Sequence, residues 1–291
     1  TEAVALAEFR SGGETGEAIP TAVVAVEDIY NRYTAGRVSP VAIRNYIAFV
    51  RSLCPDLQYV LLAGAGHFDY RGLNSNLGTN YIPPFEREDK TTDDFYAVLD
   101  SGEVVYYGTY DLDVSVGRLP VTSLQEFRSY NQKVKDYEKK GQKDFSEWRR
   151  ALLYASDDAW NSGHFDRSEH TVTVEKNIRS IDEAAAKKGV RWNMKKVYLL
   201  DYAEDAAGQK KEAADDFMNI LNQGALFTTY FGHGSVTDWA SEGLLKVSYL
   251  SRLNNKGRNT ILGSFSCTVA RFDLGSTRSL SEEFLVADGV G

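Results

Sequence analysis

Ala225-Leu226-Phe227-Thr228-Thr229-Tyr230 runs into Phe231-Gly232-His233-Gly234-Ser235, and Thr260-Ile261-Leu262 runs into Gly263-Ser264-Phe265-Ser266-Cys267. Each is a short apolar run bounded by Gly or polar residues, the pattern of a buried strand. Each strand delivers one reactive side chain at its C-terminal end. The interval between them suits one strand–helix–strand step with a right-handed crossover. A His and a Cys presented by adjacent strands make a candidate nucleophile with its acid/base partner.

Outward from this pair, strands and helices alternate. On the N-terminal side the pattern predicts strands over Arg150 to Ala155 and Lys196 to Leu200. Helices are predicted over Asp166 to Lys188 and Gln209 to Gln223, the latter ended by Gly224. A helix is predicted near Val247 to Leu253, and another from Ser279 to Val286, where Ser279 and Glu282 have capping-box spacing. Further back, Thr21 to Val26 reads as a buried strand, followed by a short helical turn over Glu27 to Tyr33. Ser39-Pro40 starts a helix to about Leu53. Tyr59 to Ala63 and Asp113 to Gly117 read as strands, and Phe95 to Leu99 with Val104 to Tyr107 as a hairpin. Ser123 caps a helix to about Lys140. The charged segment Lys139 to Asp144 marks a boundary, giving domains 1–143 and 144–291. This alternation implies α/β architecture, in two tandem subdomains, each a mostly parallel sheet between helices. Ligands in such sheets bind beyond the carboxyl ends of strands. Asp157, His233 and Cys267 all lie there.

The totals narrow the function. With 291 residues and 43% hydrophobic content, the chain can build real cores. A net charge of −8 argues against nucleic-acid binding. No apolar stretch approaches the ~20 residues of a membrane span. Cys54 and Cys267 are the two cysteines, too few for a disulfide framework. The start at Thr1 and the end at Gly289-Val290-Gly291 suggest a C-terminally truncated piece of a longer protein.

A cysteine is commonly a small buried hydrophobe. Ser264, Ser266 and Thr268 around Cys267 make a poor core, and a turn after a strand can lower a thiol pKa and bind an oxyanion. The Gly234 and Cys267 N–H groups are the oxyanion-hole candidates. Gly232 and Gly234 would let backbone approach a substrate closely. The four histidines, His67, His164, His170 and His233, show no metal-ligand spacing, so no metal ligands are assigned. Ser235 lacks the Gly-x-Ser-x-Gly context of a serine nucleophile.

His233-Gly234-Ser235 with Trp239 downstream, then Ser266-Cys267 with Arg271-Phe272-Asp273 and Ser281-Glu282-Glu283, resembles the gingipain-type cysteine peptidases of the caspase-like clan. The resemblance continues upstream in Asp28-Ile29-Tyr30-Asn31, Pro40 with Ala42-Ile43-Arg44, Leu61-Leu62-Ala63-Gly64, Thr92-Asp93-Asp94-Phe95-Tyr96 and Gly117-Arg118-Leu119-Pro120. It covers nearly the whole chain. It implies a caspase-like fold with a non-catalytic first subdomain and a catalytic second one. It also implies a cysteine endopeptidase working through a Cys-His dyad and an acyl-enzyme. The alternatives are a sortase-like transpeptidase of the type IX secretion system and a non-catalytic caspase-like binding or scaffold module.

The resemblance assigns Cys267 as nucleophile, His233 as acid/base and Asp157, with Asp158 in reserve, as the acid that orients His233. Trp239 matches a cover of the specificity pocket, with a plain core Trp as the alternative. Ser235 and Ser266 flank the dyad and join Trp239 as substrate-binding candidates. The stretch matching the family's acidic specificity residue, Gly163 to Asp166, aligns ambiguously. No cofactor is required, but relatives bind structural calcium. Asp157-Asp158 with Glu169, and Asp111 with Asp113, are the carboxylate-rich loops here, without the spacing of a calcium loop. The resemblance further implies a peptide or protein substrate, additional C-terminal domains, and a secreted or bacterial cell-surface protein.

Overall fold

The computed structural model describes residues 1–14, 16–87, 90–100, 102, 105, 110–141, 146–161, 164–165 and 169–287. The chain forms two compact units. One comprises Thr1–Arg128 with Phe272–Arg278, the other Ser129–Arg271 with Ser279–Gly291.

The first unit opens with a helix that sequence reading missed, α1 (Glu2–Gly12), capped by Thr1 and closed by left-handed Gly13. Thr21 to Val26 is not a strand. It is extended chain leading into α2 (Val26–Thr34), with Val23 and Val24 exposed. α3 (Pro40–Leu53) starts at the expected Ser-Pro pair. β1 (Tyr59–Ala63) then pairs in parallel with β4 (Ser115–Leu119), Leu61 opposite Gly117. Between them, β2 (Phe85–Arg87) and β3 (Lys90–Thr92) form an antiparallel ribbon. The hairpin expected from Phe95 is replaced by a 3₁₀ turn, Asp94–Tyr96. Most of its second arm, residues 104 and 106–107, lies outside the described residues. Tyr96 is fully buried and donates from its hydroxyl to the Pro83 carbonyl, so core packing overrides β propensity here. Ile29, Tyr30, Ala42, Ile43 and Ile47 from α2 and α3 cover Leu62 and Val114.

Arg118 of the Gly117 to Pro120 motif fixes the end of β1. Its guanidinium grips Asp93 with two bonds, 2.6 and 2.7 Å. It also donates to the carbonyls of Gly64 and Ile82, and it lies over the Phe272 ring. That fork geometry is a reason for arginine rather than lysine.

α4 (Leu124–Gly141) leads into the second unit. A four-stranded parallel sheet follows, in the order β12-β9-β5-β8. Its strands are β5 (Ala151–Ser156), β8 (Asn193–Tyr198), β9 (Phe227–Phe231) and β12 (Ile261–Phe265). Two short antiparallel ribbons complete the set: β6 (Trp160–Asn161) pairs with β7 (His164–Phe165), and β10 (Asp238–Trp239) with β11 (Leu245–Lys246). The helices are α5 (His170–Ala186), α6 (Lys211–Gln223) and α7 (Leu280–Val286), the last with the expected capping box at Ser279 and Glu282. All six β5 residues are buried, as a continuous apolar run at the sheet centre requires. Leu152 and Tyr154 pack with Val174 and Ile178 of α5. Leu153 and Ala155 face the other way, toward Phe217, Met218 and Leu221 of α6 and Leu280 of α7. Helices thus cover both faces of this sheet.

Candidate active site

β5, β9 and β12 run parallel and side by side, so their C-terminal ends share one edge of the sheet. Ser156 pairs with Phe231, and Phe231 with Phe265. Asp157 is one residue past that line. His233 and Cys267 are each two residues past it. Neighbouring strands lie about 4.8 Å apart, so the register alone brings the imidazole and thiol loops together. Cys267 is a free thiol on an exposed loop, and His233 is half-buried.

The glycines beside His233 have a different cause from the one read in the sequence. A Cβ on Gly232 would lie 2.3 Å from the Tyr230 hydroxyl and 2.4 Å from Asp157 Cβ. A Cβ on Gly234 would lie 2.3 Å from Ser266 Oγ and 2.5 Å from Val269 Cγ1. The space is taken by the protein's own strand ends, not reserved for a ligand. Gly234 seats the His loop against the Cys loop, and Thr268 Oγ1 closes the seam by donating to the Gly234 carbonyl, 3.3 Å.

The Cys loop carries backbone strain. Thr268 has a φ of 53°, and Val269 N–H reaches over it to the Cys267 carbonyl, 2.7 Å. This three-residue turn with positive φ at a β-branched residue is rare and costly. Among the described residues, neither the Gly234 nor the Cys267 N–H donates a hydrogen bond. Both expected oxyanion donors are therefore available to a ligand.

Asp157 is buried and holds the main chain of the His loop. Oδ2 accepts the His233 N–H at 2.9 Å and, at 3.4 Å, the Tyr230 hydroxyl; Oδ1 accepts the Asp158 N–H at 2.9 Å. Burial pushes its carboxyl up to about 6, against the pull of those amides, and the nearby Glu242 charge adds to the rise. Asp158, the reserve candidate, is occupied elsewhere. Its Oδ2 pairs with Lys210 Nζ at 2.5 Å, both groups being buried, and its Oδ1 accepts the Trp160 N–H.

Trp239 is corrected from pocket cover to core. It is fully buried, stacked on Tyr230 at 4.4 Å and edge-on to Phe217 at 5.8 Å. Tyr230 in turn donates to the His233 carbonyl at 2.8 Å, so Trp239 supports the His loop from beneath and offers no surface to a peptide. Ser235 is exposed, but its hydroxyl is engaged in its own turn, accepting the N–H groups of Thr237 and Asp238. Ser266 is half-buried, with its Oγ against the Gly234 backbone. Gly163 and Asp166 lie outside the described residues.

One residue at this edge escaped sequence reading. His170, the first residue of α5, sets its ring edge-on to His233, centroids 5.2 Å apart. Ligand atoms of Asp157, His170 and His233 all lie within 4.8 Å of one another. A second group, Asp158, Glu204 and Glu242, is equally close. The Lys210 ammonium on Asp158 already supplies the cation there, so this all-oxygen cluster does not fit the structural calcium expected from relatives. Asp113, on another expected calcium loop, spends Oδ2 on the Leu99 N–H.

The sequence profile of peptidase family C25 matches residues 1–291. No curated protein matches the sequence. Among solved structures, the Arg specific cysteine proteinase gingipain R (RGPB) is 18% identical, with a TM-score of 0.69 over 97% of this chain and 56% of its own. A complex of Porphyromonas gingivalis RgpB pro- and mature domains matches at 18% identity and a TM-score of 0.67, over 98% and 57% of the two chains. A structure described only as a protease matches at 20% identity and a TM-score of 0.60, over 87% and 48%. This chain spans about half the length of those solved chains. Two α/β units, a caspase-like fold shared with gingipain R and a whole-length profile match converge: the chain belongs to peptidase family C25.

Proposed function

We propose that this chain is a cysteine endopeptidase acting on peptide or protein substrates, with Cys267 and His233 as its dyad. The observation that carries this is the register of β9 and β12, which puts the two side chains the same distance past Phe231 and Phe265. His233 takes the Cys267 proton, and the thiolate attacks the scissile carbonyl carbon. The carbonyl oxygen becomes an oxyanion facing the Gly234 and Cys267 N–H groups. His233 returns its proton to the leaving amine, leaving a thioester. Water, deprotonated by His233, then releases the acid and the free thiol. Asp157 is a positioning residue that acts through the His233 main chain.

Family membership also supports a secreted or cell-surface setting. No helix among the described residues is long and apolar enough to cross a membrane. A peptidyl acyloxymethyl ketone probe tests the activity. Wild type should be labelled at Cys267, and Cys267→Ala should fold and remain unlabelled. Folded wild type that resists a panel of such probes would sink the proposal.

A further inference from the structure

Three groups at the active edge belong to different elements and meet only in the fold: Asp157 after β5, His233 after β9 and His170 at the start of α5. Their ligand atoms lie within 4.8 Å of one another, Asp157 is buried and both imidazoles are half-buried. Ligands about 2.0–2.2 Å from one zinc ion sit roughly 3.3–3.6 Å apart in a tetrahedron. The three side chains therefore need to close by only about an ångström to share an ion. Two imidazoles and a carboxylate suit zinc and its transition-metal neighbours, whereas calcium and magnesium prefer oxygen alone. Asp157 Oδ1 accepts a single hydrogen bond from Asp158, which leaves lone-pair capacity on that oxygen. As residues, His170 and His233 are each partly exposed.

We propose that Asp157, His170 and His233 form a zinc-class cation site that switches the peptidase off. A ring nitrogen of His233 that donates its lone pair to a metal cannot accept the Cys267 proton. No bond to substrate is made or broken; if the imidazole is protonated, the ion displaces one proton to solvent. This inhibitory role rests on the dyad reading above. The site itself rests only on the three ligands. His170 takes no part in the dyad chemistry proposed above.

The test uses the whole chain with zinc chloride. Competition with a chromophoric chelator should show one zinc bound per chain. His170→Ala and His233→Ala should each weaken binding about a hundredfold, whereas Cys267→Ala should bind as wild type does. His170→Gln serves as a milder variant, with circular dichroism confirming that each protein is folded. Zinc should slow acyloxymethyl ketone labelling of wild type about tenfold or more, and a chelator should restore it. The His170 variants, each compared with its own metal-free rate, should lose that protection. Absence of zinc uptake, undiminished binding in both His170 variants, or binding that vanishes with Cys267 would overturn the site. If labelling succeeds without zinc uptake, the metal proposal fails and the peptidase reading stands. If uptake depends on His170 but labelling never occurs, the site stands and the peptidase reading fails.

Discussion

Both units carry a histidine beside glycine just past a parallel strand, yet the two are wired differently. In the first, Gly64-Ala65-Gly66-His67 follows β1. His67 is buried; its Nδ1 accepts the Asp69 N–H and its Nε2 faces the Gly78 carbonyl at 2.9 Å. Those partners fix the tautomer and occupy both ring nitrogens. In the second unit, Asp157 holds His233 by its main chain, and the half-buried ring stands at the strand edge beside His170. A histidine held by its ring braces a loop. One whose main chain is anchored, as His233 is by Asp157, has its loop set at the strand edge.

The contrast can be broken most decisively at the dyad. Cys267→Ala or His233→Ala should lower peptidase turnover about 10⁴-fold or more, measured on a fluorogenic peptide panel, while His67→Ala should leave the rate per folded molecule near wild type. Equal losses from His67 and His233 would erase the distinction. The glycines come next. An added Cβ on Gly66 would meet the Ile82 carbonyl oxygen at 2.0 Å, and one on Gly234 the Cys loop. Alanine at either should cost about 1–3 kcal/mol in urea unfolding, but only Gly234→Ala should also lower kcat, about a hundredfold, by displacing Cys267.

His67→Ala should destabilise by about 2–4 kcal/mol, because it opens a cavity and strands the Gly78 carbonyl; a change below about 0.5 kcal/mol would deny His67 its bracing role. The pH-dependent effect concerns Asp157. Its folded-state value of about 6 lies above the ordinary 3.8, so between those values the folded protein holds the extra proton. Stability from this group is then greatest at low pH and is lost as pH rises through about 6. In chelator, Asp157→Asn should gain ~2–3 kcal/mol relative to wild type between pH 4 and pH 7.5. A difference that stays flat across that range would contradict the burial argument.

Much of this was legible in the chain because the decisive strands are buried and continuous. The apolar runs into His233 and Cys267, the Ser39-Pro40 start and the Ser279 cap are local signals, and each element formed where its signal stood. The misreadings share one physical cause, which is dependence on partners that are remote in sequence. Val23 and Val24 look like strand residues, but no ladder takes them up. Trp239 has the same composition in a pocket as in a core, and only its stack on Tyr230 decides between them. Gly232 and Gly234 suggest close approach of a substrate when read in sequence, but the atoms that crowd them in the fold belong to the protein. His170 carries no local signal, since ligands from separate strands and helices have no characteristic spacing.

Thr268 has a consequence for anyone engineering this protein. Its left-handed backbone beside the thiol stores about 1–3 kcal/mol of strain, and Thr268→Gly would release it. A selection for heat resistance alone would therefore favour glycine at this position early. The same exchange would remove the hydroxyl that ties the Cys loop to Gly234 and loosen the turn that aims the nucleophile. At this single residue, the easiest route to a tougher protein leads away from a faster one.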